Sequence, residues 1–166
     1  MTSIYSIDQE HLDTYMPKVK GVEYKNYHFT HADNFKGFDN YGVSSLTPQN
    51  RKQRLNTQSL AGPTITALLY NEPIAIFGCG LLWSGVGEAW SVFHETARRY
   101  PIAMTKGAIT FFDICEILFN LHRIQITVVS NDKRAFAWAK YLGFESEGLM
   151  KQYSVDKEDT YIMRRQ

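Results

Sequence analysis

An α/β fold is what this sequence predicts, and three stretches predict it. Residues 123–149, RIQITVVSNDKRAFAWAKYLGFESEGL, carry a strand, a polar junction, a short amphipathic helix and a Gly-Phe exit into another strand. Residues 64–93 carry three strand-like segments divided by two turn signals. Between these stretches, Pro101 opens a long, mostly apolar helical run. Strands alternating with helices that fold back onto them make an α/β sandwich.

In chain order, residues 4–7 are expected to form a first strand, and Asp8 to open a short helix that ends before Pro17. Residues 20–62 mix Gly, Asn, Asp, Pro and aromatic residues without a sustained period. Such a stretch holds either short hidden helices or a substrate-facing segment, and within it 48–60 is a helix candidate. Residues 64–70 read as a strand, Asn71-Glu72-Pro73 as a tight turn and 74–82 as the antiparallel partner. Ser84-Gly85-Val86-Gly87 reads as a second turn and 88–93 as a third strand. Proline suits the first position of the helix expected over 101–121, because its missing N–H would be unpaired there anyway. In 123–129, Ile124, Ile126 and Val128 share one face of a strand. Asn131 and Asp132 can cap the next helix, where Ala135, Trp138, Ala139 and Leu142 form one apolar stripe. Gly143 suits a left-handed stop, and Phe144 begins the next strand. Residues 145–153 and 160–164 close the chain as a hairpin across 156–159.

With 166 residues, 44% of them hydrophobic and 14% aromatic, the chain can bury a core without disulfides or metal. A single domain over residues 1–166 is expected. The 18 basic and 17 acidic residues leave a formal net charge of +1, so nucleic acid is not an expected partner. Cys79 and Cys115 lack metal-ligand spacing and sit in apolar segments, as buried free thiols do. The opening residues, MTSIYSIDQEHL, show no basic segment leading into an apolar one, so no signal peptide is expected. Asp113, Glu116 and Asn120 break the apolar run 109–121, which argues against a membrane span. A cytoplasmic protein is the expectation.

From residue 64 onward the predicted order is β-β-β-α-β-α-β-β. Its later part reads Asn131, a few polar residues, Ala135, then Leu142-Gly143-Phe144 and Glu147-Gly148. This order and wording resemble the GNAT superfamily of N-acetyltransferases over about the last hundred residues. The resemblance implies a mixed, mostly antiparallel central sheet flanked by helices, with acetyl-coenzyme A as cofactor. In that family the coenzyme A pyrophosphate rests on backbone N–H groups at the start of the central helix, within a Q/R-x-x-G-x-G/A signature. The matching residues here are Arg98-Arg99-Tyr100-Pro101-Ile102-Ala103. Arg98 and Ala103 fit, and Pro101 replaces the middle glycine. Pro101 has no N–H to donate, and its ring stands where the backbone would approach the phosphates. The guanidinium groups of Arg98 and Arg99 offer a substitute. The resemblance also implies that two strands splay near this helix, and that the backbone of Val92, Phe93 and His94 meets the pantetheine arm and acetyl carbonyl. Asn131 matches a position that often hydrogen-bonds coenzyme A; read alone, it is equally a helix cap or a turn residue.

Acetyl transfer to an amine needs a general base and a proton source for the departing thiolate. Glu88 falls where several members of the family carry the base; read alone, it is a solvent-facing strand residue beside a turn. The family's usual acid, a tyrosine one turn before the Gly-Phe, is Ala139 here. Tyr141 lies on another face of the helix, and Tyr153 and Tyr161 on the closing strands are the alternatives. The resemblance therefore implies an N-acetyltransferase acting on a small-molecule or peptide amine, with a homodimer allowed. The opposing expectation is a GNAT-fold protein that has lost its chemistry and serves as a binding or structural component, as divergent members in bacterial viruses do. Pro101 and Ala139 favour that second reading; Glu88 and the arginine pair favour the enzyme. His28 and His31 have H-x-x-H spacing without an evident third ligand, so no metal is expected. Tyr24, Tyr27, Phe29, Phe35, Phe38 and Tyr41 either line an acceptor pocket or form the core under an irregular lid.

Overall fold

The computed structural model describes residues 3–29, 31, 38 and 48–166. In chain order these form helix α1 (Gln9–Tyr15), strand β1 (Val22–Asn26), helix α2 (Pro48–Ser59) and strands β2 (Thr64–Leu69), β3 (Glu72–Trp83) and β4 (Val86–Phe93). A 3₁₀ turn, Glu95–Arg99, leads into helix α3 (Pro101–Leu118). Strand β5 (Arg123–Val129), helix α4 (Lys133–Tyr141) and strands β6 (Phe144–Met150) and β7 (Thr160–Arg165) follow. The strands build one seven-stranded sheet in the order β1-β2-β3-β4-β5-β7-β6. Every neighbouring pair is antiparallel except β4 and β5. The mixed, mostly antiparallel sheet flanked by helices is therefore the architecture observed.

Side-chain alternation along the strands makes two cores. Phe77 of β3 faces α3, where it joins Tyr24, Phe111, Phe112, Ile124, Phe144 and Met163 in the larger cluster. Its neighbour Ile76 points the other way and packs with Tyr27, Phe38, Leu55 and Val92 under α2. A strand buried on both faces reads as an unbroken apolar run, which is how β3 appears in the sequence.

The hairpins obey turn chemistry, with shifted boundaries. Tyr70 and Asn71 have φ of 50° and 66°, the left-handed pair that a two-residue hairpin turn requires. Glu72 and Pro73 consequently lie inside β3 rather than in the turn. Pro73 sits beside the register shift at Ala67/Leu68, where a missing N–H is tolerated. The next hairpin turns on Ser84 and Gly85, so Val86 and Gly87 already belong to β4. Gly85 has φ 83°, and a Cβ there would stand 2.2 Å from the His122 ring.

At α4, Asp132 rather than Asn131 caps the helix, accepting the Ala135 N–H at 3.1 Å. Ala139 and Leu142 are buried, and Ala135 and Trp138 pack against the same core, so the stripe has the expected phase. Gly143 has φ 99° and ends the helix. Three expectations need correction. Residues 4–7 form no strand: the Ser6 N–H returns to the Ser3 carbonyl, closing a turn. The irregular stretch contains β1, whose alternation of Val22 and Tyr24 inward with Glu23 and Lys25 outward is too short to stand out. Helix α3 stops at Leu118, because Asn120 adopts φ 51° and breaks the repeat.

Candidate active site

Strands β4 and β5 pair over three rungs, Val86↔Arg123, Gly87↔Ile124 and Glu88↔Gln125. Beyond Glu88 and Gln125 both strands continue, to Phe93 and Val129, without pairing to each other. They splay into a cleft. His94 donates its N–H to the Ile74 carbonyl at 2.8 Å, which fixes the alternation along β4. Even-numbered residues up to His94 turn their backbone groups toward β3, whereas Ala89, Ser91 and Phe93 present theirs to the cleft. Of the three residues expected to meet the pantetheine arm, Phe93 thus has cleft-facing backbone groups. Val92 and His94 spend theirs on β3; the Val92 side chain is buried in the α2 cluster, and the His94 imidazole caps the 3₁₀ turn through Thr96 N–H. Phe38 bridges to His94, and because Ile74 holds the β3 edge, Phe38 runs along the edge that borders the cleft.

At the wide end of the cleft lies the start of α3. Its N-cap, Tyr100, makes no side-chain cap hydrogen bond, and Pro101 stands in the first turn. Met104 N–H already reaches the Tyr100 carbonyl, which leaves Ile102 and Ala103 N–H without intrahelical acceptors. Arg98 and Arg99 are exposed on the preceding turn and make no ion pair among the described residues. Two backbone donors and two guanidinium groups, all without partners among the described residues, at a positive helix end suit an anion. The stretch differs from an open glycine loop, since Ala97 and Tyr100 N–H are spent inside the turn, on the His94 and Ala97 carbonyls. The residues fit a pyrophosphate held more by side chains than by backbone.

At the narrow end sits Glu88, half-buried at the last rung. Its Oε1 accepts from Gln125 Nε2 at 3.0 Å, and Gln125 Oε1 in turn accepts from Arg123 Nε at 2.9 Å. The Arg123 guanidinium forks onto both oxygens of Glu147, which Arg164 approaches from β7 at 3.5 Å. The hydrogen bond from Arg123, helped by its charge, holds the Glu147 carboxyl below the usual carboxylate range. Gln125 and Arg123 belong to this site although no motif marks them. They stand on the polar face of β5, and only the strand register brings them to Glu88.

The remaining candidates lie apart from the cleft or serve the fold. Asn131 is exposed, and its amide donates to Glu158 in the β6–β7 loop at 2.9 Å. Ala139 is buried in the core, so no acid group stands at that position. Tyr141 is 77% exposed, and Tyr161 stacks on Phe136 with ring centres 4.8 Å apart. Trp138 spans α4 and α3 by donating to Thr105 Oγ1 at 3.1 Å, with its ring edge-on to Phe93. Tyr24 belongs to the larger core, where its hydroxyl donates to the Ala103 carbonyl at 2.7 Å and burial pushes its acidity out of the working range. Tyr27 and Phe38 are core residues of the α2 cluster, while Phe29 rims a surface groove of about 340 Å³ with Lys52, Asn56 and Leu60. Phe35 and Tyr41 lie outside the described residues. His31 rests on Thr66 at 2.7 Å, and partial burial, with the charges of His28 and Lys25, lowers its pKa to about 4. No group of three or more metal-ligating side chains occurs among the described residues. Cys79 and Cys115 are free and buried. Burial and a hydrogen bond with Cys79 push the Cys115 thiol up, away from reactivity.

No family model matches the chain, and no curated protein does. Solved structures match over nearly the whole length. An acetyltransferase of the GNAT family from Bacillus anthracis is 14% identical, with a TM-score of 0.68 over 89% of this chain and 95% of that one. RimL, a ribosomal-protein α-N-acetyltransferase crystallised with coenzyme A, is 13% identical, with a TM-score of 0.70 over 90% and 96%. A chimera of spermidine N-acetyltransferase SpeG from Vibrio cholerae and hSSAT is 12% identical, with a TM-score of 0.68 over 88% and 95%. The chain has the fold of the GNAT acetyltransferases. Among its described residues no helix is long and apolar enough to cross a membrane.

Proposed function

We propose that this chain is an acetyl-coenzyme A-dependent N-acetyltransferase for an amine borne by a small molecule or a peptide. The observation that carries the reading is the β4–β5 splay, with a carboxylate at its apex and unmatched anion donors at its mouth. Arg98, Arg99 and the Ile102 and Ala103 N–H groups would hold the pyrophosphate, and the Phe93 backbone would meet the pantetheine arm as an added strand does. When bound, acetyl-coenzyme A supplies an activated acyl thioester. Glu88 takes a proton from the acceptor amine, since an ammonium has no lone pair with which to react. No side chain of α4 stands ready as an acid, so the reading assigns none. A coenzyme A thiolate is a fair leaving group without one. RimL and SpeG, by their names, act on a protein N-terminus and on spermidine; these two acceptor classes are the ones to test first.

The test is thiol release from acetyl-coenzyme A with spermidine and with a short unblocked peptide. Turnover with either supports the reading. Glu88→Gln is expected to lower kcat about 10²–10⁴-fold, the usual contribution of a positioned base, and to leave coenzyme A affinity unchanged. Tight coenzyme A binding with no transfer to any amine would instead favour a binding protein on the same fold.

A further inference from the structure

Glu88 is a poor base unless its free oxygen is aimed, and a carboxylate on a strand swings about two side-chain torsions and its own terminal one. The neighbouring side chains remove that freedom in a definite order. Gln125 faces Glu88 across the last rung before the splay, on the sheet face opposite α3 and α4. Its amide has two ends, one a donor and one an acceptor; a carboxylate that acts as a base only accepts, so it takes the donor end. Arg123 enforces the same orientation from the other side. Its Nε is a donor with no acceptor capacity, and it lies 2.9 Å from Gln125 Oε1. The amide oxygen must face Arg123, so the Nε2 end must face Glu88, at 3.0 Å. Arg123 is itself immobilised by both oxygens of Glu147, two strands away.

We infer that Gln125, locked in one amide orientation by Arg123 and Glu147, is the positioning residue for Glu88. It engages one carboxylate oxygen and leaves the other without a hydrogen-bond partner among the described residues. The inference deepens the transferase reading and rests on it for its purpose, but the hydrogen-bonded chain is a property of the free protein. The charges of Arg123 and Glu147 thus reach Glu88 through the Gln125 amide. A carboxylate in place of Gln125 would keep the contact with Arg123 while losing the donor to Glu88. A leucine would lose both.

The first experiment needs no turnover. The Gln125 side-chain amide is observed in ¹H–¹⁵N spectra and assigned by its absence from Gln125→Glu. One of its two protons is expected well downfield of the other, with slowed exchange, and both features vanish in Glu88→Ala and in Arg123→Leu. An amide signal indifferent to Glu88→Ala overturns the inference. The second experiment uses acetyl-coenzyme A with spermidine or the unblocked peptide. Gln125→Glu and Gln125→Leu are expected to lower kcat roughly 10–100-fold, with KM for acetyl-coenzyme A unchanged, as displacement of a reacting group by a fraction of an ångström does. In a Glu88→Gln background neither change lowers kcat further. Parent-like kcat in Gln125→Glu means the residue serves only to hold Arg123, and the positioning role fails. Absence of turnover in the parent defeats the transferase reading alone; the amide spectra then decide this inference by themselves.

Discussion

Two strand-to-helix junctions flank the cleft, and they are built on opposite principles. Between β5 and α4 the chain spends three residues, and Asp132 satisfies the helix end with its own carboxylate. Between β4 and α3 it spends seven, most of them in a 3₁₀ turn, and arrives at a helix start with no side-chain cap. The first junction is complete within the protein. The second leaves two N–H groups and two guanidinium groups without partners among the described residues, next to the end of β4 that has splayed from β5. An anion bound at α4 would compete with Asp132, whereas one bound at α3 would meet no side-chain cap among the described residues. On the proposed reading, the open junction before α3 is the one that would take the cofactor's phosphates, with Pro101 leaving one N–H fewer there than the family motif supplies.

The contrast predicts a crossed pattern of mutational effects. The largest is on binding: Arg98→Ala with Arg99→Ala should weaken coenzyme A about 100-fold by calorimetry. Two charge-assisted hydrogen bonds at an exposed site, discounted for water screening, amount to about 2.7 kcal/mol. The melting temperature should hardly move, since neither side chain packs on the core. An affinity equal to the parent's would remove both arginines from the site. Next comes Trp138→Ala, which empties a half-buried site and removes the bond to Thr105 that ties α4 to α3. It should cost about 2 kcal/mol in urea unfolding, less than a fully buried aromatic because the ring is half-buried, and also loosen the α3 start, so that stability and coenzyme A affinity fall together. Affinity preserved in that variant would show the two helices to be independent. The smallest is Asp132→Ala, about 1 kcal/mol of stability from the lost cap, with coenzyme A affinity unchanged. A clear loss of affinity there would move part of the anion site to α4 and end the contrast.

How much of this was legible in the sequence follows the same divide. The β5–α4–β6 unit could be read almost residue by residue, because each decision in it is local: alternation in β5, a cap at Asp132, a stripe of four apolar residues, a left-handed Gly143. Glu88 became a candidate by its distance from Arg98, and Arg98 and Arg99 by their place before a helix-opening proline; their roles belong to the proposal. What could not be read depends on register between distant segments. Gln125 meets Glu88 only because β5 lies parallel to β4 with Glu88 opposite Gln125, and Glu147 reaches Arg123 only because β7 is inserted between β5 and β6. The backbone groups at the end of β4 illustrate the same point. Val92 and His94 looked equivalent to Phe93 in sequence, and the hydrogen bond from His94 to Ile74 separates them by parity. Strand β1 escaped because five residues with two buried side chains give too short an alternation to rise above the aromatic and glycine-rich stretch around it.

Whether the α3 start seats the cofactor is decided most directly by titrating coenzyme A into the parent and into Pro101→Gly. The substitution adds a third first-turn N–H and removes the ring beside it, at the cost of a less preorganised helix start. The parent should bind one equivalent, more weakly as salt is raised, because exposed guanidinium groups carry much of the attraction. Pro101→Gly should bind at least as tightly, and up to about tenfold tighter if the added charge-assisted hydrogen bond outweighs the lost preorganisation. No heat from either protein at millimolar coenzyme A would contradict the assignment of this helix start, and with it the transferase reading built on the cleft.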